Sequence, residues 1–365
     1  MQRRWLIWVL VFGLLFGCSM PAAAPVPSEP PMQEATANPS PVPTAEPVVE
    51  IIVRPATPSP TPTATPEPTA TPEPTPEPTP TPEPTPTPEP TPFTIAWISD
   101  TQVYSYRGMR GLTEIVQYIL DERESLNIAA TVQTGDLVEK HNESIYWERI
   151  TEAFSPLRGQ VPFYCVSGNH DVGYYGMKQL TYEPYVNAAL CDVRDEECLF
   201  EGGACWYTLR EDLGLLFVGI GWMFDGDAPR YVAWANEVLE RYSEYPAVIL
   251  THSFIYTNGQ LTADGQYLEA ELVATHPNVR LLLCGHHDGV RHWSNVYEDD
   301  RSFHAMMLNY QDDFQKARGY FTLLTFDPVT RNVSVTTYCP LTGDTDFYDY
   351  RGGASRETFV IESAF

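Results

Sequence analysis

Positive charge is what this 365-residue sequence has least of: 22 Lys and Arg stand against 48 Asp and Glu, a formal net charge of −26. A chain so acidic is a poor match for nucleic acid or anionic lipid as a general partner, and no nucleic-acid-binding module is read in it. A phosphate-bearing substrate is not excluded, because bound cations reverse the local field. Proline is also scarce, but only after Pro92: 26 of the 34 prolines fall in residues 21–92 and eight in the 273 residues that follow. Residues 93–365 therefore read as one folded domain, long enough to bury a full α/β core. Three arginines and nine glutamates precede Phe93, so −20 of the net charge falls on that domain. The apolar run Trp5 to Phe16 is too short to span a bilayer as a helix.

What the amino-terminal third does contain is distinctive. Arg3 and Arg4 precede the apolar run, which closes on Leu15-Phe16-Gly17-Cys18. Basic start, short apolar stretch and small residue are the order of a secretory signal peptide. The last four residues resemble a bacterial lipobox, which implies lipidation of Cys18 and an anchor on a bacterial membrane outside the cytoplasm. A plain secretory signal and an uncleaved anchor are the alternatives, and either also takes the chain out of the cytosol. Residues 1–20 are thus read as the leader and 21–92 as a stalk. The stalk's Thr-Pro and Thr-Pro-Glu-Pro repeats lack the apolar residues that would offset the entropy of ordering. Polyproline II at about 3.1 Å per residue would carry such a segment on the order of 200 Å.

Six of the seven cysteines remain to be placed. Cys165 and Cys284 lie in apolar, strand-like runs, as buried free thiols do. Cys191, Cys198 and Cys205 share a polar, irregular stretch, where an oxidising compartment invites one disulfide of open connectivity. Cys339 or one of the three would then stay free.

From Phe93 onward the pattern alternates between strands and helices. Phe93–Ile98, Ile128–Gln133, Val161–Val166, Leu215–Ile220, Ala247–Leu250 and Val279–Leu283 read as buried strands. Leu112, Ile115, Val116, Ile119 and Leu120 make one helical stripe, and Val232, Ala235, Val238, Leu239 and Tyr242 another. Strands near Ala305–Asn309, Tyr320–Phe326 and Val333–Tyr338 fill the last third. In α/β sheets ligands bind beyond the carboxyl ends of strands, and five of these runs end in Asp, Asn or His. The set in chain order is Asp100, Gln102, Asp136, Asn169, His170, His252, His286 and Asp288. Carboxylates, imidazoles and an amide are ligands for Mg, Mn, Fe or Zn. Eight positions exceed the needs of one metal but suit two held about 3.5–4 Å apart, which can clamp and polarise a phosphate.

Five blocks carry a resemblance: Asp100-x-Gln102, Gly135-Asp136, Gly168-Asn169-His170-Asp171, Thr251-His252 and Gly285-His286-x-Asp288. In order and placement they resemble the calcineurin-like metallophosphoesterases, across the whole of 93–365. The resemblance implies a four-layer α/β/β/α sandwich with two mixed β-sheets, and hydrolysis of a phosphate monoester or diester by a hydroxide bridging two divalent metals. It assigns Asp136, Asn169, His252 and His286 to one metal, and Asp100, Gln102, Asp136 and Asp288 to the other. The family normally has His where Gln102 and Asp288 stand, so the altered site is oxygen-rich and favours Mn, Mg or Fe over Zn. His287 and His292 are spare imidazoles for it. His170 is placed at the scissile ester as the acid, with Glu139 to orient it, and Asp171 behind the loop. Tyr104, Tyr106, Trp222, Tyr256 and Trp293 lie near these loops as packing residues or as walls of a cleft. The rival reading is a non-catalytic surface binding module whose altered site has lost its metal.

Overall fold

The computed structural model describes residues 90–172, 191–193, 205–223, 226–311, 318–347 and 357–365. Cys18, Cys198, the leader and all but the last three residues of the 21–92 stretch lie outside them. The described residues belong to one compact unit, Pro82–Phe365. In chain order its elements are β1 (Phe93–Ile98), α1 (Gln102–Arg107), α2 (Arg110–Glu122), β2 (Ile128–Gln133), α3 (Ser144–Phe154), β3 (Phe163–Cys165), α4 (Asn169–Val172), β4 (Cys205–Arg210), β5 (Leu215–Ile220), α5 (Ala228–Arg241), β6 (Ala247–Thr251), α6 (Ala263–Leu268), β7 (Val279–Cys284), β8 (Gly289–Val296), β9 (Ser302–Asn309), β10 (Phe321–Asp327), β11 (Asn332–Tyr338) and β12 (Thr358–Ile361).

The strands form two mixed six-stranded sheets, ordered β12-β11-β10-β1-β2-β3 and β4-β5-β6-β7-β9-β8. Strands β1, β2 and β3 run parallel, as do β5, β6, β7 and β9, while β4, β8 and β10 pair antiparallel to their neighbours. Alternation along β1 explains the layering. Phe93, Ile95 and Trp97 point between the sheets, where they meet Phe217, Leu250, Leu283 and Met306 of the second sheet. Ala96 and Ile98 point the other way, onto Leu112, Ile115, Val116 and Ile119 of α2 and Trp147, Ile150 and Phe154 of α3. The second sheet is covered on its outer face by Val232, Ala235, Val238 and Leu239 of α5 and by Leu268 of α6. A strand buried on both faces has no polar alternation to show, so β1 reads as an apolar run in which Thr94 is the one polar residue. Each fully buried side chain of this kind contributes roughly 1.5–3 kcal/mol.

Three expectations are corrected. Strand β3 is only Phe163–Cys165, because Pro162 has no N–H for the ladder; its carbonyl accepts from Thr131 N instead. Cys205 opens β4 in the core and Cys191 is a free thiol, so a Cys191–Cys205 disulfide is not formed; Cys198 lies outside the described residues. Strands β4, β8 and β12 went unread: all three are edge strands, β4 and β8 mix polar with apolar residues, and β12 has only four residues.

Candidate metal centre

Parallel strands of both sheets deliver their carboxyl ends to one edge, where loops of the two sheets are bonded to each other. His286 N donates to Asp100 Oδ1 at 3.1 Å and to Oδ2 at 3.2 Å, tying the β7 loop to the β1 loop. His252 Nδ1 lies 2.7 Å from Thr134 O, tying β6 to β2. Asp136 is the hub. Its Oδ1 accepts from His170 N at 2.9 Å, its Oδ2 accepts from Gln102 Nε2 at 3.1 Å, and His252 Nε2 lies 3.2 Å from Oδ2. One ligand atom each from Asp136, His252 and His286 lie within 4.8 Å of one another.

Backbone conformation sets these side chains at a cost. Asp100, Asp136 and His286 all have positive φ, at 53°, 56° and 74°. Left-handed backbone is disfavoured for residues with a Cβ and persists where the surroundings fix it. The glycines of the motifs have a separate reason. A Cβ on Gly168 would stand 2.2 Å from Asp136 Oδ1, and one on Gly285 would stand 2.1 Å from Asp100 Oδ2. Gly-Asn and Gly-His are thus spacing requirements imposed by the carboxylates opposite them.

A layer of supporting groups surrounds the hub. Asp171 is fully buried; its Oδ1 accepts from Leu137 N and Val138 N and its Oδ2 from Gly168 N, all at 2.8–3.0 Å. It clamps the Gly-Asp loop to the Gly-Asn loop. Trp97 Nε1 donates to Thr134 Oγ1, which donates to Ser99 Oγ, which donates to Asp100 Oδ2. Ser99, Thr134 and Gln133, whose amide brackets Gly135 at 2.8 Å on both sides, were not singled out from sequence. Their only signal is that polar residues end otherwise apolar strands. His170 Nδ1 lies 2.8 Å from the Glu139 carbonyl oxygen, whereas the Glu139 carboxylate is 3.9 Å away. The partner of His170 is therefore chiefly the backbone of Glu139.

Electrostatics reflect the crowding of acids. Burial pushes Asp100 up to about 7 against the pull of His252, and burial, then Asp136, pushes Asp171 up to about 7. Burial opposes charge on His252, yet Asp136 outweighs it and holds the ring protonated up to about 9. Burial likewise opposes ionisation of Asp136, and the charge on His252 outweighs it, so this carboxyl falls below its ordinary range. His286 is pushed down to about 3 by burial and by His252. For His170, burial is outweighed by Asp136, Glu139 and Asp171 together, and its pKa rises.

These residues suit a cation. Gln102 Oε1 is buried and finds no hydrogen-bond partner among the described residues, although Gln102 Nε2 donates to Asp136. A buried polar atom without a partner costs about 1–3 kcal/mol, and a metal ion shared with Asp136 would remove that cost. Asn169, at the start of α4, is buried at the same edge. Asp288 is exposed and stands outside the Asp136–His252–His286 group. Of the spare imidazoles, His292 Nε2 is paired with His304 Nδ1 at 3.1 Å, and His287 packs on Tyr256. Trp222 lies 5.8 Å from His252 and 5.2 Å from His286, ring to ring, and borders the cluster. Tyr104 and Trp293 are packing residues.

A consequence can be measured. Ligation requires neutral imidazole and ionised carboxyl, so a metal entering this site displaces the proton of His252 and part of that of Asp100. Metal affinity should rise from pH 6 to pH 9, by about tenfold per unit for each proton displaced. Calorimetric titration in buffers of different ionisation enthalpy counts those protons. An affinity independent of pH would remove His252 from the ligand set.

Two six-stranded sheets packed face to face, helices outside, and acids and imidazoles at one shared edge define a metallophosphoesterase-type α/β sandwich. The model of the calcineurin-like phosphoesterase family matches residues 93–288, more than half of the chain, and the chain belongs to that family. It is 27% identical over 284 residues to "Uncharacterized protein YvnB" of Bacillus subtilis (strain 168), covering 74% of this chain and 21% of that protein. The chain thus spans about a fifth of the length of this curated relative. Among solved structures, the purple acid phosphatase PPD1 from yellow lupin (Lupinus luteus) seeds is similar in fold, with a TM-score of 0.52 at 14% identity over 74% of this chain and 54% of that one.

Proposed function

We propose that the chain hydrolyses phosphate monoesters or diesters at this sheet edge, with two divalent ions held by Asp100, Gln102, Asp136, Asn169, His252, His286 and Asp288. The observation that carries the reading is Asp136. Side chains from the β1 and β6 loops converge on one buried carboxylate, beside the buried Gln102 Oε1, which has no hydrogen-bond partner among the described residues. Asp288, being exposed, is the least firmly held of the set. Divalent ions bound there would supply Lewis acidity and a nucleophile active at neutral pH. The residues of the chain do the rest. Asp171 keeps the Asp136 and Asn169 loops at fixed separation, and Thr134 O aims His252 by holding Nδ1. His170 gives its Nδ1–H to the Glu139 carbonyl, which leaves Nε2 of the protonated ring as the acid for the leaving oxygen.

The test is bound metal per chain, by elemental analysis, beside turnover of aryl phosphate monoesters and diesters. Two ions and activity raised by added Mn are expected. At most one ion and no turnover would instead identify a non-catalytic binding module.

Gln102 sets the metal preference. An amide oxygen is a weaker ligand than imidazole nitrogen, so the ion beside Gln102 should be Mn or Mg and exchange readily. Gln102→His should tighten that site and turn its preference towards Zn or Fe. Asp288→His should do less, because Asp288 is exposed. Unchanged metal order in Gln102→His would show that residue 102 does not face the ion.

The leader and stalk support display outside the cytoplasm on a lipid carried by Cys18. Cys18→Ser should release the protein from membranes or block its processing. Unchanged retention in that variant would point to an uncleaved helix.

A further inference from the structure

From the candidate metal centre a row of rings runs outward. Trp222 lies 5.2 Å from His286, His286 4.5 Å from His287, and His287 4.5 Å from Tyr256, centroid to centroid. His286 contributes a ligand atom to the cluster at one end. Tyr256 at the other end is 41% exposed.

Tyr256 does not hang on a loose loop. Its backbone N–H donates to Gln260 O and its carbonyl accepts from Gly259 N, both at 2.8 Å, and Ile255 bridges Leu261. Thr257 Oγ1 donates to Asp288 O at 3.4 Å, fastening this turn to the loop that carries His286 and His287. An aromatic side chain fixed in this way and left half in water adds little to the core. It does present a preformed apolar face beside the place where a phosphate would sit.

We propose that Tyr256 and His287, with Trp222, form a stacking platform that selects phosphate esters bearing a planar aromatic group, as in nucleosides and aryl esters. The proposal rests on the phosphoester reading above. Planar rings stack on aromatic side chains through their π-faces, whatever polar groups they carry. A puckered ring of the same size has equal or greater apolar area but no such face, so the two separate stacking from plain burial.

The experiment is calorimetric binding of phenylphosphonate and cyclohexylphosphonate to the full chain loaded with Mn(II). Neither ligand is hydrolysed, so turnover does not enter. Phenylphosphonate should bind roughly tenfold more tightly than cyclohexylphosphonate. Tyr256→Ala should remove most of that preference, and Tyr256→Phe should keep it. Equal affinity of both phosphonates for the unaltered chain, or an undiminished preference in Tyr256→Ala, would overturn the platform and leave the phosphoester reading standing. Failure of both phosphonates to bind at all would overturn the phosphoester reading itself.

Discussion

Asp136→Asn should strip most bound metal from the chain and lower turnover by at least about 10³-fold, the scale on which charge-stabilising groups act in such sites. The replacement keeps size and shape, and Asn is among the few residues that tolerate the positive φ of this position. The fold should therefore survive. What goes is charge. Oδ2 now meets Gln102 Nε2 and His252 Nε2, while Oδ1 meets His170 N. An amide can serve only one of those sides as acceptor and sets its NH₂ against a donor on the other. The protonated state of His252 also depends on Asp136, which outweighs the effect of burial on that ring. In the metal-free variant His252 should lose its proton at a lower pH than in the unaltered chain, which NMR titration of the ring reads directly. Wild-type turnover with a full complement of metal in Asp136→Asn would end the reading of this carboxylate as shared by two ions.

Much of this architecture was legible in the chain because its central strands are buried on both faces. Runs such as Ile128–Gln133 and Val279–Cys284 are mostly apolar and buried, so the Asp and His that follow them stand out. Edge strands lack that contrast. In β8, polar residues fall in the pairs Arg291-His292 and Ser294-Asn295 between Val290, Trp293 and Val296, on a strand paired on one side only, and nothing in the sequence separates it from a loop. Cys205 misled for a related reason. It follows a polar stretch but belongs by packing to the core of the second sheet.

The site was legible to the extent that chemistry sits at strand ends, and illegible where geometry alone decides. Asp100, Gln102, Asp136, His170, His252 and His286 do converge on one edge. The sequence does not tell that Asp100, Asp136 and His286 adopt left-handed backbone, nor that Thr134 lends its carbonyl to His252 and its hydroxyl to the Ser99–Asp100 chain. Those contacts join residues far apart in the chain, and a threonine before Gly-Asp looks like any other strand end. Glu139 shows the same limit: its group nearest His170 is a carbonyl that every residue possesses.

His170→Ala should retain the metal count of the unaltered chain and lose about 10²–10⁴-fold in turnover, the range for general acid–base assistance. The ring contributes no atom to the Asp136–His252–His286 group, and its tie to Asp136 is through the backbone N–H, which alanine keeps. Metal and loop should stay in place while the acid is lost. The loss should shrink for a good leaving group such as nitrophenolate, which departs with little need of a proton, and grow for alkyl esters. Glu139→Gln is the companion measurement. Because the Glu139 carboxylate stands 3.9 Å from Nδ1 while its carbonyl accepts at 2.8 Å, that change should cost at most about tenfold, well short of the full range for acid–base catalysis. Burial opposes the charged ring of His170, and Asp136, Glu139 and Asp171 together outweigh it, so the protonated acid persists above its ordinary range. Activity on poor leaving groups should therefore fall at a higher pH than an unperturbed histidine would give. Equal losses on good and poor leaving groups in His170→Ala would remove the acid role and leave His170 the task of holding the phosphate.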